Sequence, residues 1–239
     1  HFTKPHLAYY AEVLGRLGWP EGPVMMVGDN LPYDLLPMDT MGFPTFWVNA
    51  KHHEVRWESG TLADVVPWLN QVMHDETTHL ADDPEVNIAI LRATPAVIDT
   101  WLRKIKVDQF TDNKSPRDNH FYKMISYLAH LECKVFQPLW ASISKNPTKS
   151  LPLFREIDLL TQNFDQHPDP ENDFDCFLEA RLASLFKIEK LHRKEVFNQA
   201  DRQDLNKSPT INDVLRFISG HDRKTLQNLN NLLDIHKID

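Results

Sequence analysis

The sequence has 239 residues, 41% of them hydrophobic and 25% charged, a composition typical of globular proteins with one large or two ordinary domains. Its formal net charge of −8 divides into −6 over residues 1–80 (four Lys or Arg against ten Asp or Glu) and −2 over the remainder (22 against 24). Neither part offers the basic face that binding to DNA or RNA requires, so no nucleic-acid partner is expected.

The cysteines and the apolar runs indicate the compartment. Cys133 and Cys176 are too few for a disulfide framework and indicate reduced thiols in a cytoplasmic protein. No apolar run approaches the roughly 18 residues of a membrane helix, and no membrane partner is expected.

The first third of the chain alternates helical and strand patterns. These patterns predict a helix over Pro5–Leu17, a strand over Pro23–Gly28, a helix over Pro32–Met41, a strand over Pro44–Val48 and a helix over Thr61–Val72. Gly18 is the expected C-terminal cap of the first helix. The order of strands and helices predicts an α/β fold with a parallel sheet.

Two aspartates follow the first predicted strand. Asp29 comes directly after Gly28, and Asp34 lies five residues further on, at the start of a helical pattern. Paired carboxylates at the end of a parallel strand suit a hard divalent cation such as magnesium. The alternative is that Asp29 caps the turn and Asp34 stabilises the first turn of the helix. Spacing alone leaves both interpretations open.

The order Lys4-Pro5, helix, apolar strand, Gly28-Asp29-x-x-x-x-Asp34, helix, strand resembles the C-terminal half of the haloacid dehalogenase (HAD) superfamily core, over about residues 1–72. The resemblance implies a truncated Rossmann-like α/β domain of a phosphohydrolase. Lys4 would steady the nucleophile and the phosphate, Asp29 would bind Mg²⁺, and Asp34 would be the supporting acid. The family's nucleophilic aspartate precedes this lysine, so we expect a fragment of a longer protein, inactive by itself.

Residues 74–85 are acidic and aperiodic, and they are the predicted linker between domains at 1–73 and 86–239. Beyond them only helical patterns occur. The first two helices are predicted to begin at Thr94-Pro95 and Ser115-Pro116. The third should span Asp175–Phe197, with a buried face of Leu178, Leu182, Leu185 and Ile188. The fourth should begin at Ser208-Pro209-Thr210, with Asp213 as capping partner. The second helix should run to about Leu139. Four long helices predict a four-helix bundle.

Two histidines lie within the predicted helices. His130-Leu131 and the segment Phe217-Ile218-x-x-His221-Asp222-Arg223 resemble the DinB-like four-helix bundle family over about residues 86–239. That family binds a divalent metal through three histidines, so the resemblance implies His130 and His221 as ligands of zinc or nickel. Thr225 stands at the third ligand position and is a poor ligand for either metal. Asp222 and Thr225 fall on the apolar stripe of the last helix and need buried partners.

Three functions are consistent with these patterns. The first is a HAD-like phosphohydrolase of a small phosphorylated metabolite, fused to a degenerate DinB-like bundle. The second is a metal-dependent hydrolase or thiol transferase active in the bundle. The third is a non-enzymatic interaction or scaffold unit.

Overall fold

The computed structural model describes residues 1–49, 56–73, 80–108, 120–145, 170–193 and 210–235. Over these ranges the chain is mostly helical and carries one three-stranded parallel sheet in its first part. None of the described helices is long and apolar enough to cross a bilayer. The helix start predicted at Ser115-Pro116 lies outside the described residues.

The first part of the chain combines helices with the sheet. Its elements are α1 (Leu7–Arg16), β1 (Met26–Gly28), a π-helical turn (Leu31–Leu35), α2 (Leu36–Thr40), β2 (Thr45–Val48), β3 (Glu58–Gly60) and α3 (Leu62–Val72). The strands are parallel in the order β1-β2-β3, with Val27 opposite Phe46 and Phe46 opposite Glu58. The predicted helices and both predicted strands are confirmed. Strand β3 is not predicted by the pattern, because Glu58-Ser59-Gly60 contains no apolar residue.

A glycine ends α1 and lets the chain pass close to the last helix. Gly18 has a φ of +72°, and Trp19 donates its N–H to the Leu14 carbonyl at 2.8 Å, which closes the last turn. This left-handed conformation confirms the predicted cap and suits glycine, which has no Cβ. A Cβ built at Gly18 would lie 2.7 Å from the Asn230 side chain, so packing also requires glycine here.

From Pro84 onward the described chain is almost entirely helical. The elements of this helical region are α4 (Pro84–Asp108), α5 (His120–Leu131), a second π-helical turn (Glu132–Phe136), α6 (Gln137–Lys145), α7 (Pro170–Arg193) and α8 (Ile211–Ile235). At the start of α8 the Thr210 hydroxyl accepts from the Asp213 N–H at 3.1 Å, and the Asp213 carboxylate accepts from the Thr210 N–H at 2.8 Å. The capping box predicted at this position is therefore confirmed.

Helix α4 does not begin where the sequence predicts. It runs through Pro95, so Thr94 and Pro95 lie inside it rather than at its N-terminus. The buried Thr94 hydroxyl donates back to a carbonyl one turn earlier at 3.0 Å instead of capping the helix. Proline has no N–H to give to the carbonyl four residues before it, that of Leu91. Arg181 of α7 donates to this carbonyl at 3.3 Å, which satisfies the group that Pro95 leaves free.

The buried face of α7 also differs from the prediction. The apolar pattern places Leu182 on the buried face, but Leu182 is 57% exposed. Arg181 and Ser184 are instead buried, at 1% exposure each. The prediction is wrong because it counts apolar side chains alone, whereas polar groups can be buried when they have partners.

The hydrophobic core joins the first part of the chain to the helical region. Ala11 and Leu14 of α1 belong to one buried cluster with residues of α4, α5 and α8. A Cβ built at Gly15 would lie 2.8 Å from the Val97 side chain, so α1 and α4 approach each other closely. Helix α1 therefore packs the sheet-containing first part of the chain against the helical region. The predicted domain boundaries remain a prediction.

Candidate functional site

The carboxyl edge of the sheet carries residues that the sequence singles out. Asp29 directly follows β1, at the edge where ligands bind in parallel α/β sheets. The residue is exposed, and its backbone carbonyl accepts from the Trp47 indole N–H at 3.2 Å. This bond ties the loop to β2. Asp34 lies in the π-helical turn that follows and is buried, with 9% exposure.

Lys4 reaches this edge and forms an ion pair with Asp34. The Lys4 Nζ lies 2.6 Å from Asp34 Oδ1, and the Asn30 backbone N–H donates to Oδ2 at 3.3 Å. Both oxygens of the carboxylate are therefore engaged within the chain. The hydrogen bond to Asp34 raises the pKa of Lys4, so the ammonium is charged at neutral pH. The Lys4 side chain is 39% exposed and remains accessible to a ligand.

A glycine makes room for the Asp34 carboxylate. A Cβ built at Gly28 would lie 2.6 Å from the Asp34 Cβ and 2.9 Å from its Oδ2. Real Cβ atoms do not approach other heavy atoms so closely, so a larger residue would displace Asp34 or the strand. The glycine at position 28 thus has a direct steric cause. The two residues pack against each other where β1 ends.

Tyr10 fixes α1 against the turn that carries Asp34. Its hydroxyl donates to the backbone carbonyl of Tyr33. Burial raises the pKa of Tyr10, so the phenol stays neutral and keeps its donor proton at physiological pH. The helix after Lys4 and the turn containing Asp34 are consequently held in one arrangement.

The arrangement bears on the two interpretations of the aspartates. Asp34 lies in the first turn after Asn30, as the capping interpretation predicts, and it also pairs with Lys4, as a supporting acid would. Magnesium is commonly held by one or two carboxylates together with waters and substrate phosphates. Asp29 suits this role because it is exposed at the sheet edge. Asp34 is already hydrogen-bonded through both oxygens, and it suits the role of positioning Lys4. These groups suit a metal that is shared with a phosphate ligand.

The two predicted histidine ligands lie in the helical region and are half-buried. The His221 ring centroid is 5.7 Å from that of Tyr127 and 6.3 Å from that of Phe136. His130 lies on α5, one residue before that helix ends. Within the described ranges, no group of three or more His, Cys, Asp or Glu has the arrangement of a metal site.

Glu132 and Asp222, which are close to these histidines in the sequence, form a buried ion triad with Arg181. Arg181 Nε donates to Glu132 Oε2 at 2.8 Å, and its two Nη groups donate to the Asp222 carboxylate at 2.5 and 3.1 Å. The Ser184 hydroxyl donates to Glu132 Oε1 at 2.6 Å. The three charged residues are at most 1% exposed. The triad connects α7, α8 and the second π-helical turn.

The triad carries two negative charges and one positive charge. Burial alone would lower the pKa of Arg181, but the carboxylates of Asp222 and Glu132 outweigh that effect and raise the pKa. The guanidinium is therefore permanently charged. Because Asp222 accepts two hydrogen bonds from Arg181, its carboxylate is committed to this pair and is not a spare ligand for a metal beside His221.

Part of this triad can be anticipated from the sequence. Asp222 falls on the apolar stripe of α8, and its burial is confirmed. Arg181 gives no comparable signal, because a single arginine on a helix is usually a solvated residue. Only the fold reveals that Arg181 lies between two carboxylates that are 49 and 41 residues away in the chain.

Comparison with known proteins gives this chain no relative. No family model, no curated protein and no solved structure matches it.

Proposed function

We propose that the sheet edge is the phosphate and magnesium side of a phosphohydrolase site of the HAD type, acting on a small phosphorylated metabolite. The observation that carries the proposal is the ion pair between Lys4 and Asp34 at the carboxyl end of β1, at 2.6 Å. It joins two sequence motifs, 30 residues apart, that the resemblance assigns to one site. The first part of the chain would accordingly be a HAD-like partial α/β domain.

Each group has a role that follows from its chemistry. The Lys4 ammonium is accessible and charged, and it would bind phosphate oxygens as a point charge. Asp34 would position that ammonium, since it is buried and already pairs with Lys4. Asp29 would hold Mg²⁺, and the bound ion would neutralise negative charge on the phosphate.

A covalent phosphohydrolase of this type also needs a nucleophilic carboxylate. The family places that residue before the lysine, and His1, Phe2 and Thr3, which precede Lys4, include no acid. We accordingly expect this chain to bind phosphate without turning over a phosphate ester.

For the helical region we favour a structural or interaction role on a DinB-like four-helix scaffold, as a second proposal. The buried triad of Arg181, Glu132 and Asp222 supports it. The alternative, a zinc- or nickel-dependent hydrolase or thiol transferase, would have to assemble its site from His130 and His221 with Thr225 as the third residue. A threonine hydroxyl is a weak ligand for these metals.

The first proposal is tested by titrating the chain with inorganic phosphate in the presence and absence of Mg²⁺. Trp47 is a natural reporter because its indole is bonded to the backbone of Asp29. We expect a Mg²⁺-dependent change in tryptophan fluorescence that Trp47→Phe removes. Lys4→Met should weaken phosphate binding about 10- to 100-fold, the equivalent of one charge-assisted hydrogen bond of about 1.5–3 kcal/mol.

The matched control is Lys104→Met, which removes an exposed lysine of α4 far along the chain from the sheet edge. It should leave phosphate binding unchanged. Circular dichroism verifies that each variant keeps its helical content. Equal phosphate affinity in Lys4→Met and the unaltered chain, or no phosphate binding at all, would contradict the proposal.

A further inference from the structure

The two cysteines of the chain lie on facing segments of the helical region. Cys133 is in the second π-helical turn, and Cys176 is on α7. The Cys133 Sγ is 3.4 Å from the backbone carbonyl oxygen of Cys176. They are the only two cysteines in the sequence, so neither thiol has another partner of its kind in the chain.

The surrounding contacts hold these two segments together. The Ser126 hydroxyl donates to the Asp173 carboxylate, and these two residues precede the cysteines in their segments. Arg181 donates to Glu132, the residue next to Cys133. A carbonyl oxygen lies about 2.4 Å from the Cα of its own residue, as bond lengths dictate. The Cys133 sulfur is therefore within about 6 Å of the Cys176 Cα, so a disulfide needs side-chain rotation and at most a small shift of the backbone.

The exposures of the two thiols differ in a way that assigns their roles. Cys176 is exposed and meets solutes, whereas Cys133 is half-buried. Burial raises the pKa of the Cys133 thiol, which keeps it protonated and unreactive toward solutes at neutral pH. An oxidant from solution would therefore react with Cys176 first, and Cys133 would act on the product.

We propose that Cys133 and Cys176 form a reversible intrachain disulfide when the protein meets a peroxide. In the first step the Cys176 sulfur takes one oxygen from hydrogen peroxide, giving a sulfenic acid and one water. In the second step the Cys133 thiol gives up its proton and its sulfur attacks the Cys176 sulfur, so that the hydroxyl leaves with that proton as a second water and the disulfide forms. The two thiols lose two electrons, which the peroxide accepts, and a dithiol reverses the reaction.

The bond would tie the second π-helical turn to α7 next to the Glu132–Arg181 pair. It would close the loop between residues 133 and 176 and so restrict the unfolded chain. The oxidised protein should therefore resist denaturant better than the reduced protein. This consequence does not depend on the sheet edge or on phosphate.

The experiment treats the full chain, reduced beforehand, with a small excess of hydrogen peroxide. Free thiols are then counted after unfolding in the presence of a thiol reagent. We expect the count to fall from two to zero, the mass to drop by two hydrogen atoms, and peptide mapping to find Cys133 joined to Cys176. The urea midpoint should rise, and dithiothreitol should restore both thiols and the original midpoint.

Cys133→Ser and Cys176→Ser are the matched controls. In Cys133→Ser the exposed Cys176 should still oxidise, but to a sulfenic acid or to a dimer between chains, with no rise in the midpoint. In Cys176→Ser the loss of the Cys133 thiol should be at least tenfold slower. The same treatment in unfolding urea should yield the intrachain bond far more slowly than in buffer.

Three results would overturn the proposal. The wild-type chain could retain both thiols under peroxide, its only disulfide could join separate chains, or the intrachain bond could form equally fast in urea and in buffer. The last result would show that the fold does not bring the cysteines together.

Discussion

Replacing Arg181 by methionine tests the buried triad most sharply. The guanidinium donates two hydrogen bonds to Asp222, one to Glu132 and one to the Leu91 carbonyl, and Arg181 is 1% exposed. Removing one partner of a buried ion pair costs about 3–5 kcal/mol, because the other charge remains buried. Here two carboxylates and a carbonyl lose their donor. We therefore expect the free energy of unfolding to fall by about 5 kcal/mol, the upper end of that range.

Urea denaturation followed by circular dichroism measures this loss. Arg193→Met, on the same helix with a side chain 80% exposed, should change stability by less than about 0.5 kcal/mol. Combining Arg181→Met with Glu132→Leu and Asp222→Leu should recover most of the loss, because no charge then remains unpaired.

The reasoning is refuted by either of two results. Arg181→Met could cost less than about 1 kcal/mol, which is the value expected of an exposed ion pair. The triple variant could also be no more stable than Arg181→Met alone. Either result would show that the carboxylates are not held in the interior by Arg181.

Three further predictions follow from the described contacts. Gly28→Ala should lower the free energy of unfolding by about 1–3 kcal/mol, seen as a lower urea midpoint, because its Cβ would overlap Asp34. An unchanged midpoint would contradict the packing. Thr210→Ala should cost about 1 kcal/mol through loss of the cap on α8, while Thr210→Ser should cost much less by the same measurement. EDTA should leave the melting temperature unchanged, and elemental analysis should find no tightly held zinc or nickel; metal lost on His221→Ala would show the opposite.

Local patterns were sufficient where neighbouring residues decide the structure. Gly18 closes α1 because glycine tolerates a positive φ, and Thr210 with Asp213 caps α8 through bonds three residues apart. Lys4 and Asp34, which the resemblance assigns to one site, form an ion pair. In each case the determining signal lies within the segment or within a short, ordered set of motifs.

Patterns fail where a distant residue supplies the missing partner. Pro95 marks a helix start locally, yet α4 passes through it because Arg181 reaches the free carbonyl of Leu91. The same arginine shifts the buried face of α7 away from Leu182. The pattern of α7 does not indicate that Arg181 is paired, so it cannot indicate that Arg181 is buried.

The central claim is that Lys4 belongs to a phosphohydrolase site. The most direct measurement is Mg²⁺-dependent hydrolysis of p-nitrophenyl phosphate by the natural polypeptide that contains these residues together with any segment preceding them. We predict turnover in that polypeptide, a fall of about 100-fold or more in kcat/KM on Lys4→Met, and no turnover by the 239-residue chain alone. Absence of turnover in that polypeptide, turnover unchanged by Lys4→Met, or hydrolysis by the 239-residue chain alone would contradict the account.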